Sequence, residues 1–396
     1  MDLTFPLRSE AFLTVGDVRW YSAIQENALY REDLRTGVVR FMGTFLENGQ
    51  FRLHGGILCV DDVLYFAPMK ADGLDIYDIR QKKFSRIPFE GDAGTPPCGC
   101  RRILQIGGCL YFVDGCKRYR VYRYSLQQKT LKAIDQEPCA QSASSCIGMD
   151  VSVDDGRLLF CDQERKMAVW FDPQTETFRA EAIPTRNCKL LTIRRVQDAL
   201  WFSGNRYFCR FDLRTRRTED LDIFPSGFGN FKLGEHGETL LEQDLDRLSE
   251  HPFDESIVCG DKILFVPRKA NMAVVLDTAA GKTWGIDIPP ETAQTLDLKN
   301  GRPTHSRFIG AERLAGGGIR MFSTQEGAFW ELKADLTGFR APETYGFWQM
   351  DFREKGNGRI CYETPNGFRI AAPSAEEHLL EDVGERIYAT VVKEKG

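Results

Sequence analysis

The sequence predicts an all-β fold, a single β-propeller, because one strand-rich unit recurs along almost the whole chain. Each copy contains an aromatic-rich strand, a short polar loop, a second strand that usually ends in Asp, and a third strand after a polar turn. A short apolar segment before the aromatic strand supplies a fourth strand. Four strands repeated every roughly 40 to 55 residues form a propeller blade. We expect seven blades, with six or eight as the alternatives.

The copies can be followed through their aromatic and Asp-ending strands. These two strands span residues 18–21 and 29–33, 64–66 and 76–78, 110–112 and 121–124, 158–160 and 169–172, 200–202 and 209–212, 263–265 and 274–277, and 320–322 and 329–332. A strand-end Asp such as Asp172 can accept hydrogen bonds from the next backbone N–H groups and so start the turn. We therefore interpret these aspartates as turn residues and not as catalysts.

The repeat resembles the propeller repeats of the YVTN, Kelch and WD40 families over nearly the whole chain. It is most similar to the YVTN-like form, in which a strand ending in Asp leads into a Thr-containing turn, as in residues 211–215. The Gly-His and Trp-Asp dipeptides of WD40 repeats and the double glycine of Kelch repeats do not occur regularly, so no subfamily is assigned. The resemblance implies a fold and no particular activity.

Composition argues against several classes of function. The chain of 396 residues carries a net charge of −5 spread over mixed-sign segments, so we expect neither nucleic acid nor a membrane surface as a partner. The N-terminus has no basic leader before an apolar run, and no stretch approaches about 18 consecutive apolar residues. Twelve cysteines without a signal peptide indicate reduced thiols and predict a cytoplasmic protein.

Several segments depart from the repeat within the predicted single domain, 1–396. Leucines at helical spacing predict an amphipathic helix inserted at 234–250. Residues 360–370 predict a hairpin that turns on Asn366-Gly367. A capping box predicts a short C-terminal helix at 374–384. The segment 386–392 resembles a last strand, which we expect to complete the first blade and close the ring.

Cysteine and histidine recur at one position of the repeat, before the innermost strand of each blade. Twelve residues before the aromatic strand lie Arg52, Cys98, Cys146, Cys188 and His251; ten before it lie His54 and Cys100, and fifteen before it lies His305. Loops that enter the inner strands of a propeller surround the mouth of its central channel on one face. We therefore expect these eight side chains to converge there.

A ring of this kind has three interpretations. Cys98, Cys146, Cys188 and His251 could ligate zinc or another divalent metal, because thiolate and imidazole suit it and four ligands complete a tetrahedron. Alternatively, one of these cysteines is a catalytic nucleophile with a histidine as its base, while Arg52, His54, Cys100 and His305 bind the ligand. The third interpretation is that shared repeat ancestry placed small, buried cysteines at one position.

Other cysteines and the arginine pairs have their own interpretations. Six cysteines fall in or beside predicted strands and are expected to pack in the core: Cys59, Cys109, Cys161, Cys209, Cys259 and Cys361. The arginines at 101–102, 194–195 and 214–217 could bind an anionic ligand if they faced the channel, because guanidinium groups suit phosphate and carboxylate. Otherwise they form a solvated surface.

No catalytic motif decides the function, since the sequence has no Walker loop, His-Glu-x-x-His, nucleophile elbow or dinucleotide fingerprint. The first hypothesis is a cytoplasmic binding or scaffolding propeller that presents a small-molecule or protein site at the channel mouth. The alternative is an enzyme, a metal-dependent lyase or hydrolase or a thiol-dependent transferase, that uses the Cys/His ring. A purely structural repeat protein is the third possibility.

Overall fold

The structure is a computed structural model. It describes residues 9–23, 27–46, 52–94, 96–97, 99–115, 119–136, 150–233, 239–243, 252–288, 308–314, 316–323, 328–343, 361–363 and 369–371. Seven four-stranded antiparallel sheets in a propeller arrangement confirm the predicted fold class. The chain divides into two compact units, residues 1–88 with 343–396 and residues 89–342, which are described separately.

Blades 1 and 2 belong to the first unit. Blade 1 comprises β1 (Ser9–Val15), β2 (Val18–Ala23), β3 (Ala28–Asp33) and β4 (Val38–Thr44). Blade 2 comprises β5 (His54–Val60), β6 (Val63–Pro68), β7 (Gly73–Asp78) and β8 (Lys83–Pro88). Within each blade, consecutive strands pair with one another.

Blades 3 to 7 form the second unit, which opens with a 3₁₀ turn at Gly91–Ala93. Blade 3 comprises β9 (Leu104–Ile106), β10 (Cys109–Val113), β11 (Tyr119–Ser125) and β12 (Leu131–Gln136). Blade 4 comprises β13 (Ser152–Asp154), β14 (Arg157–Asp162), β15 (Met167–Asp172) and β16 (Thr177–Ala182). Blade 5 comprises β17 (Leu190–Val196), β18 (Ala199–Gly204), β19 (Phe208–Asp212) and β20 (Thr218–Leu221).

A hairpin separates blades 5 and 6, and a second hairpin follows blade 7. The first consists of β21 (Asn230–Leu233) and β22 (Thr239–Glu242). Blade 6 comprises β23 (Phe253–Cys259), β24 (Lys262–Pro267), β25 (Met272–Asp277) and β26 (Lys282–Asp287). Blade 7 comprises β27 (Phe308–Arg313), β28 (Ile319–Ser323), β29 (Ala328–Leu332) and β30 (Phe339–Glu343). The second hairpin consists of β31 (Cys361–Glu363) and β32 (Arg369–Ala371).

The core lies between successive blades. Side chains of blades 3 and 4, for example, form one buried cluster that includes Tyr111, Val121, Phe160 and Phe171. Comparable clusters join blades 1 and 2 in the first unit and blades 4 to 7 in the second. Burying one such aromatic side chain stabilises the fold by about 1.5–3 kcal/mol. Each sheet therefore needs a neighbour to cover its apolar faces, which is why the sequence repeats.

The strand-end aspartates act as predicted. The Asp212 carboxylate accepts hydrogen bonds from the backbone N–H groups of Arg214 and Thr215 at 3.0 and 2.7 Å. Asp33, Asp172 and Asp277 repeat the arrangement. The hydrogen bond from the Thr215 N–H lowers the pKa of Asp212, because it favours the ionised form. This repeated turn explains the spacing that made the blades visible in the sequence.

The predicted helix at 234–250 is wrong where the structure describes it. Residues 239–242 form β22, which pairs with β21 in antiparallel register, Phe231 opposite Leu241. The strand forms because a neighbouring strand supplies hydrogen-bond partners, which a spacing of leucines cannot reveal. The hairpin of residues 360–370 is confirmed by β31 and β32, although Asn366-Gly367 lies outside the described residues, as do 374–384 and 386–392. The single-domain organisation stays a prediction.

No helix in the described part of the chain is long and apolar enough to span a membrane.

Candidate functional site

A cavity of about 630 Å³ opens in the second unit, where the inner strands of five blades converge. We call it the arginine pocket, because Arg102, Arg194, Arg195 and Arg313 line it. Its volume falls in the range of about 300–1,000 Å³ that is typical of small-molecule sites. Aliphatic side chains, among them Val153, complete the wall. The cavity is therefore both cationic and partly apolar.

In blades 5 to 7 the pocket lies beside the carboxyl-terminal half of the inner strand, and in blades 3 and 4 its lining begins just before the short inner strand, at Arg102 and Val151. Its walls come from Leu104 of β9, 152–154 of β13, 194–195 of β17, 257–258 of β23, and 311 and 313 of β27. A tight turn ends four of these strands, and Gly107 (φ 57°) and Gly260 (φ 65°) adopt the left-handed backbone that such a turn requires. Cys188, a described member of the predicted Cys/His ring, precedes β17 and so lies at the other end of that strand.

Arg194 is the central buried charge of the site. Its Nη2 donates to Asp150 Oδ1 and to the Ser256 carbonyl, both at 2.5 Å, and its Nη1 donates to the Ile193 carbonyl at 2.7 Å. The Ser256 hydroxyl donates to Asp150 Oδ2 at 2.7 Å. One carboxylate thus accepts hydrogen bonds from two other blades. This network joins blades 4, 5 and 6 through a buried ion pair.

A second ion pair crosses the centre of the unit. Arg102 of blade 3 pairs with Glu255 of blade 6, and the Arg101 guanidinium lies 3.8 Å from Asp254. The pKa of Arg102 is lowered, mainly because burial removes its hydration and to a smaller extent because the positive charge of Arg194 repels it. The Glu255 Oε1 atom is buried without a hydrogen-bond partner among the described residues. The positive charges of Arg102 and Arg194 are therefore held close together by carboxylates from other blades.

The remaining two guanidinium groups are more exposed. Arg195 Nη1 lies 3.1 Å from Asp154 Oδ1, and Arg195 Nε donates to the Gln197 carbonyl at 2.9 Å. The Arg313 Nη2 donates to the Val258 carbonyl. Within the described residues, Arg313 has no carboxylate within 4.0 Å. Among the described residues, four guanidinium groups thus stand against three carboxylates, those of Asp150, Asp154 and Glu255, which leaves one positive charge in excess.

None of the predicted site residues that the structure describes lines this pocket. Cys98, Cys146, His251 and His305 lie outside the described residues. Cys188 is exposed, and its backbone N–H donates to Asn205 Oδ1 at 3.0 Å, whereas Cys100 is buried. No cluster of three or more His, Cys, Asp or Glu side chains suited to a metal occurs in the part of the chain that the structure describes. The Cys/His ring and its zinc stay a prediction.

Arg52 and His54 belong to the first unit. Arg52 is half-buried and has a left-handed backbone (φ 59°). His54 is buried: its Nδ1 lies 2.7 Å from the Ser22 hydroxyl and its Nε2 lies 2.8 Å from Asp75 Oδ2. The Asp75 carboxylate also accepts two hydrogen bonds from Arg86, each of 2.7 Å. These contacts occupy both ring nitrogens of His54.

The cysteines of the strands behave as packing residues. Cys161 and Cys209 are buried, and Cys59, Cys109 and Cys259 are half-buried. Burial raises the pKa of Cys209 to about 12 and also raises the pKa of Cys59 and Cys259. These three thiols are therefore protonated at neutral pH and are poor nucleophiles and metal ligands.

Sequence reasoning noted Arg102 and Arg194 but missed their carboxylate partners. A different alignment of the repeat would have found them. Arg102, Asp150 and Glu255 each stand four residues before the last residue of an inner strand, Ile106, Asp154 and Cys259. When the repeats are aligned on the last residue of each inner strand, these three charges fall at one position. When the repeats are aligned on the first residue of each aromatic strand, the cysteines fall at one position instead.

Comparison with known proteins supports the fold. No protein-family model matches the chain, and no curated protein does. A crystal structure of virginiamycin B lyase from Staphylococcus aureus is 12% identical with a TM-score of 0.56, over 82% of this chain and 95% of that chain. A streptogramin B lyase structure is 13% identical with a TM-score of 0.53, over 82% and 93%.

The computationally designed Ika8 protein is also similar, at 8% identity and a TM-score of 0.52, over 93% of this chain and 97% of that chain. At such identities the likeness concerns the fold alone. The seven blades and these neighbours together show that the chain is a β-propeller, with no subfamily assigned.

Proposed function

We propose that this chain is a ligand-binding β-propeller, and that its second unit holds a small molecule in the arginine pocket. The observation that carries the proposal is a cavity of about 630 Å³ in which most of the polar lining side chains, among them Arg194, Arg195 and Arg313, stand on inner strands. Side chains on packed strands are held in place before a ligand arrives, which lowers the entropic cost of binding. The ion pairs across the blades hold them further.

We include a cytoplasmic location in the proposal. Seven of the described cysteines are free thiols, which favours a reducing compartment. The lyase activity in the names of two similar structures is not carried over, because 12% and 13% identity supports only a shared fold.

A small-molecule screen with a blocking variant tests the proposal. The library contains anionic, neutral and cationic compounds, and binding is measured by saturation-transfer NMR. Val153 lines the pocket and is 47% exposed, so a Val153→Trp side chain fills space in the pocket at little cost to folding. Gln81→Trp, in an exposed turn of blade 2, is the matched control.

We expect compounds that bind the wild-type protein and Gln81→Trp but not Val153→Trp. Circular dichroism melts of the three proteins verify that the variants are folded. Compounds that bind all three proteins equally, or a library without any binder, would contradict the proposed function.

A further inference from the structure

The four guanidinium groups of the arginine pocket fall into two classes. Both terminal nitrogens of Arg194 donate to protein oxygens, and Arg102 is paired with Glu255. By contrast, Arg195 Nη2 and Arg313 Nε and Nη1 have no acceptor among the described residues. The first pair holds the blades together. The second pair has donors left for a ligand.

We infer that the ligand is an organic anion, whose carboxylate or phosphate group is bound by Arg195 and Arg313. This inference rests on the proposed function and deepens it. Guanidinium groups bind these two anions through paired, charge-assisted hydrogen bonds. Arg313 should contribute more to anion binding than Arg195. Arg313 has no carboxylate partner in the described part of the chain, whereas the charge of Arg195 is shared with Asp154.

The rest of the pocket wall indicates that the anion carries an apolar group. Val151, Val153, Ile257 and Ala311 line the same cavity. Val153 exposes 47% of its surface, although it stands in the inner strand of blade 4. A free phosphate ion would leave these aliphatic side chains in contact with water. An aromatic or aliphatic group attached to the anion covers them, which adds about 25 cal/mol per Å² of apolar surface removed from water.

Titration with matched probes tests the inference. Benzoate and phenyl phosphate present the two anions on one apolar ring, benzamide is the neutral counterpart, and inorganic phosphate lacks the ring. Affinities are measured by isothermal titration calorimetry for wild type, Arg195→Gln and Arg313→Gln. Arg214→Gln removes the same charge from an exposed turn of the same unit and serves as the control.

We expect at least one of the two organic anions to bind at least about tenfold more tightly than benzamide and inorganic phosphate. Arg313→Gln should weaken that binding about tenfold, Arg195→Gln somewhat less, and Arg214→Gln less than about twofold. The ratio between benzoate and phenyl phosphate then identifies the anion. Inorganic phosphate that binds as tightly as phenyl phosphate overturns the apolar part of the inference.

Failure of this inference can be told apart from failure of the proposed function. If only neutral or cationic compounds bind and Val153→Trp abolishes their binding, the anionic class is wrong and the pocket still binds a ligand. The same holds if Arg313→Gln and Arg214→Gln behave alike while Val153→Trp blocks the organic anion. If Val153→Trp affects no compound, both are wrong.

Discussion

Two buried polar networks, one in each unit, use similar residues and yet differ in a way that bears on function. In the first unit, Ser22, His54, Asp75 and Arg86 join blades 1 and 2. In the second unit, Asp150, Arg194 and Ser256 join blades 4, 5 and 6. The first network is enclosed by aromatic rings, with Phe45 4.3 Å from the His54 ring, whereas the second borders a cavity.

In the enclosed network, the hydrogen-bond donors and acceptors pair with one another. A carboxylate can only accept, so His54 Nε2 carries the proton toward Asp75 and Nδ1 accepts from the Ser22 hydroxyl. Arg86 neutralises the carboxylate. Although serine, histidine and aspartate follow one another as in a catalytic triad, Ser22 is only 4% exposed, so the network holds two blades together and offers no access to a substrate.

Around the cavity beside the second network, the described residues provide four guanidinium groups and three carboxylates. Such a surplus would be costly in a sealed interior, where every unpaired charge loses its hydration. At a cavity wall, water or a ligand satisfies the unused donors. An unbalanced set of charges at a cavity wall, here with the exposed Arg313 in excess, therefore indicates a binding site better than a familiar trio of residue types does.

The largest effect is expected from removal of the carboxylate that supports the second network. Asp150→Asn leaves the Arg194 guanidinium buried without its counter-charge and should lower the free energy of unfolding by about 3–5 kcal/mol. Urea denaturation followed by tryptophan fluorescence measures it. Asp155→Asn, whose carboxylate is 80% exposed in the adjacent turn, is the control and should stay within about 0.5 kcal/mol of wild type. Equal midpoints for the two variants would show that the network does not hold the blades.

A smaller effect is expected from the first network, because one neutral donor is removed. Ser22→Ala leaves His54 Nδ1 buried without a donor and should cost about 1–3 kcal/mol in the same assay. Ser85→Ala, an exposed position of β8 in the same unit, should change stability by less than about 0.5 kcal/mol. Affinity of the arginine pocket for its ligand should be unchanged in both variants. A loss of affinity in Ser22→Ala alone would break the distinction between a structural and a binding network.

The blades could be predicted from the sequence because their signals are local. Alternation in an aromatic strand, an Asp such as Asp212 at a strand end and the turn behind it all fall within about a dozen residues. The helix expected at 234–250 was wrong at 239–242 because the leucine spacing suits two structures, and the pairing with β21 selects the strand. Local patterns thus show where a secondary-structure element lies better than they show whether it is a helix or a strand.

The charged site could be predicted only in part. Arg102 and Arg194 were visible as arginine pairs, but Glu255 and Asp150 stand on other blades, 153 residues after Arg102 and 44 before Arg194 in the chain. Such a pairing depends on how strands of different blades face one another at the centre, and no spacing within one repeat encodes it. Arg313 was missed because it is a single arginine, and its importance comes from the absence of a described counter-charge.

The smallest effect is expected from pH, and it separates the networks most sharply. Burial lowers the pKa of His54 from its ordinary value of 6.5. As the pH falls below about 6.5, the unfolded chain takes up a proton that folded His54 resists, so stability is lost toward acid pH, by at most about 1.4 kcal/mol per pH unit. His54→Gln should remove this part of the dependence of stability on pH between pH 7.5 and 5, measured by urea denaturation, while the other histidines contribute equally to both proteins.

Hydrogen bonds from His54 and Arg86 lower the pKa of Asp75 against the effect of burial, so the stability that Asp75 contributes is lost only below this pH range. Parallel profiles of stability against pH for wild type and His54→Gln would mean that His54 accepts a proton inside the fold. The first network would then not be the closed network with a neutral histidine that distinguishes it from the arginine pocket.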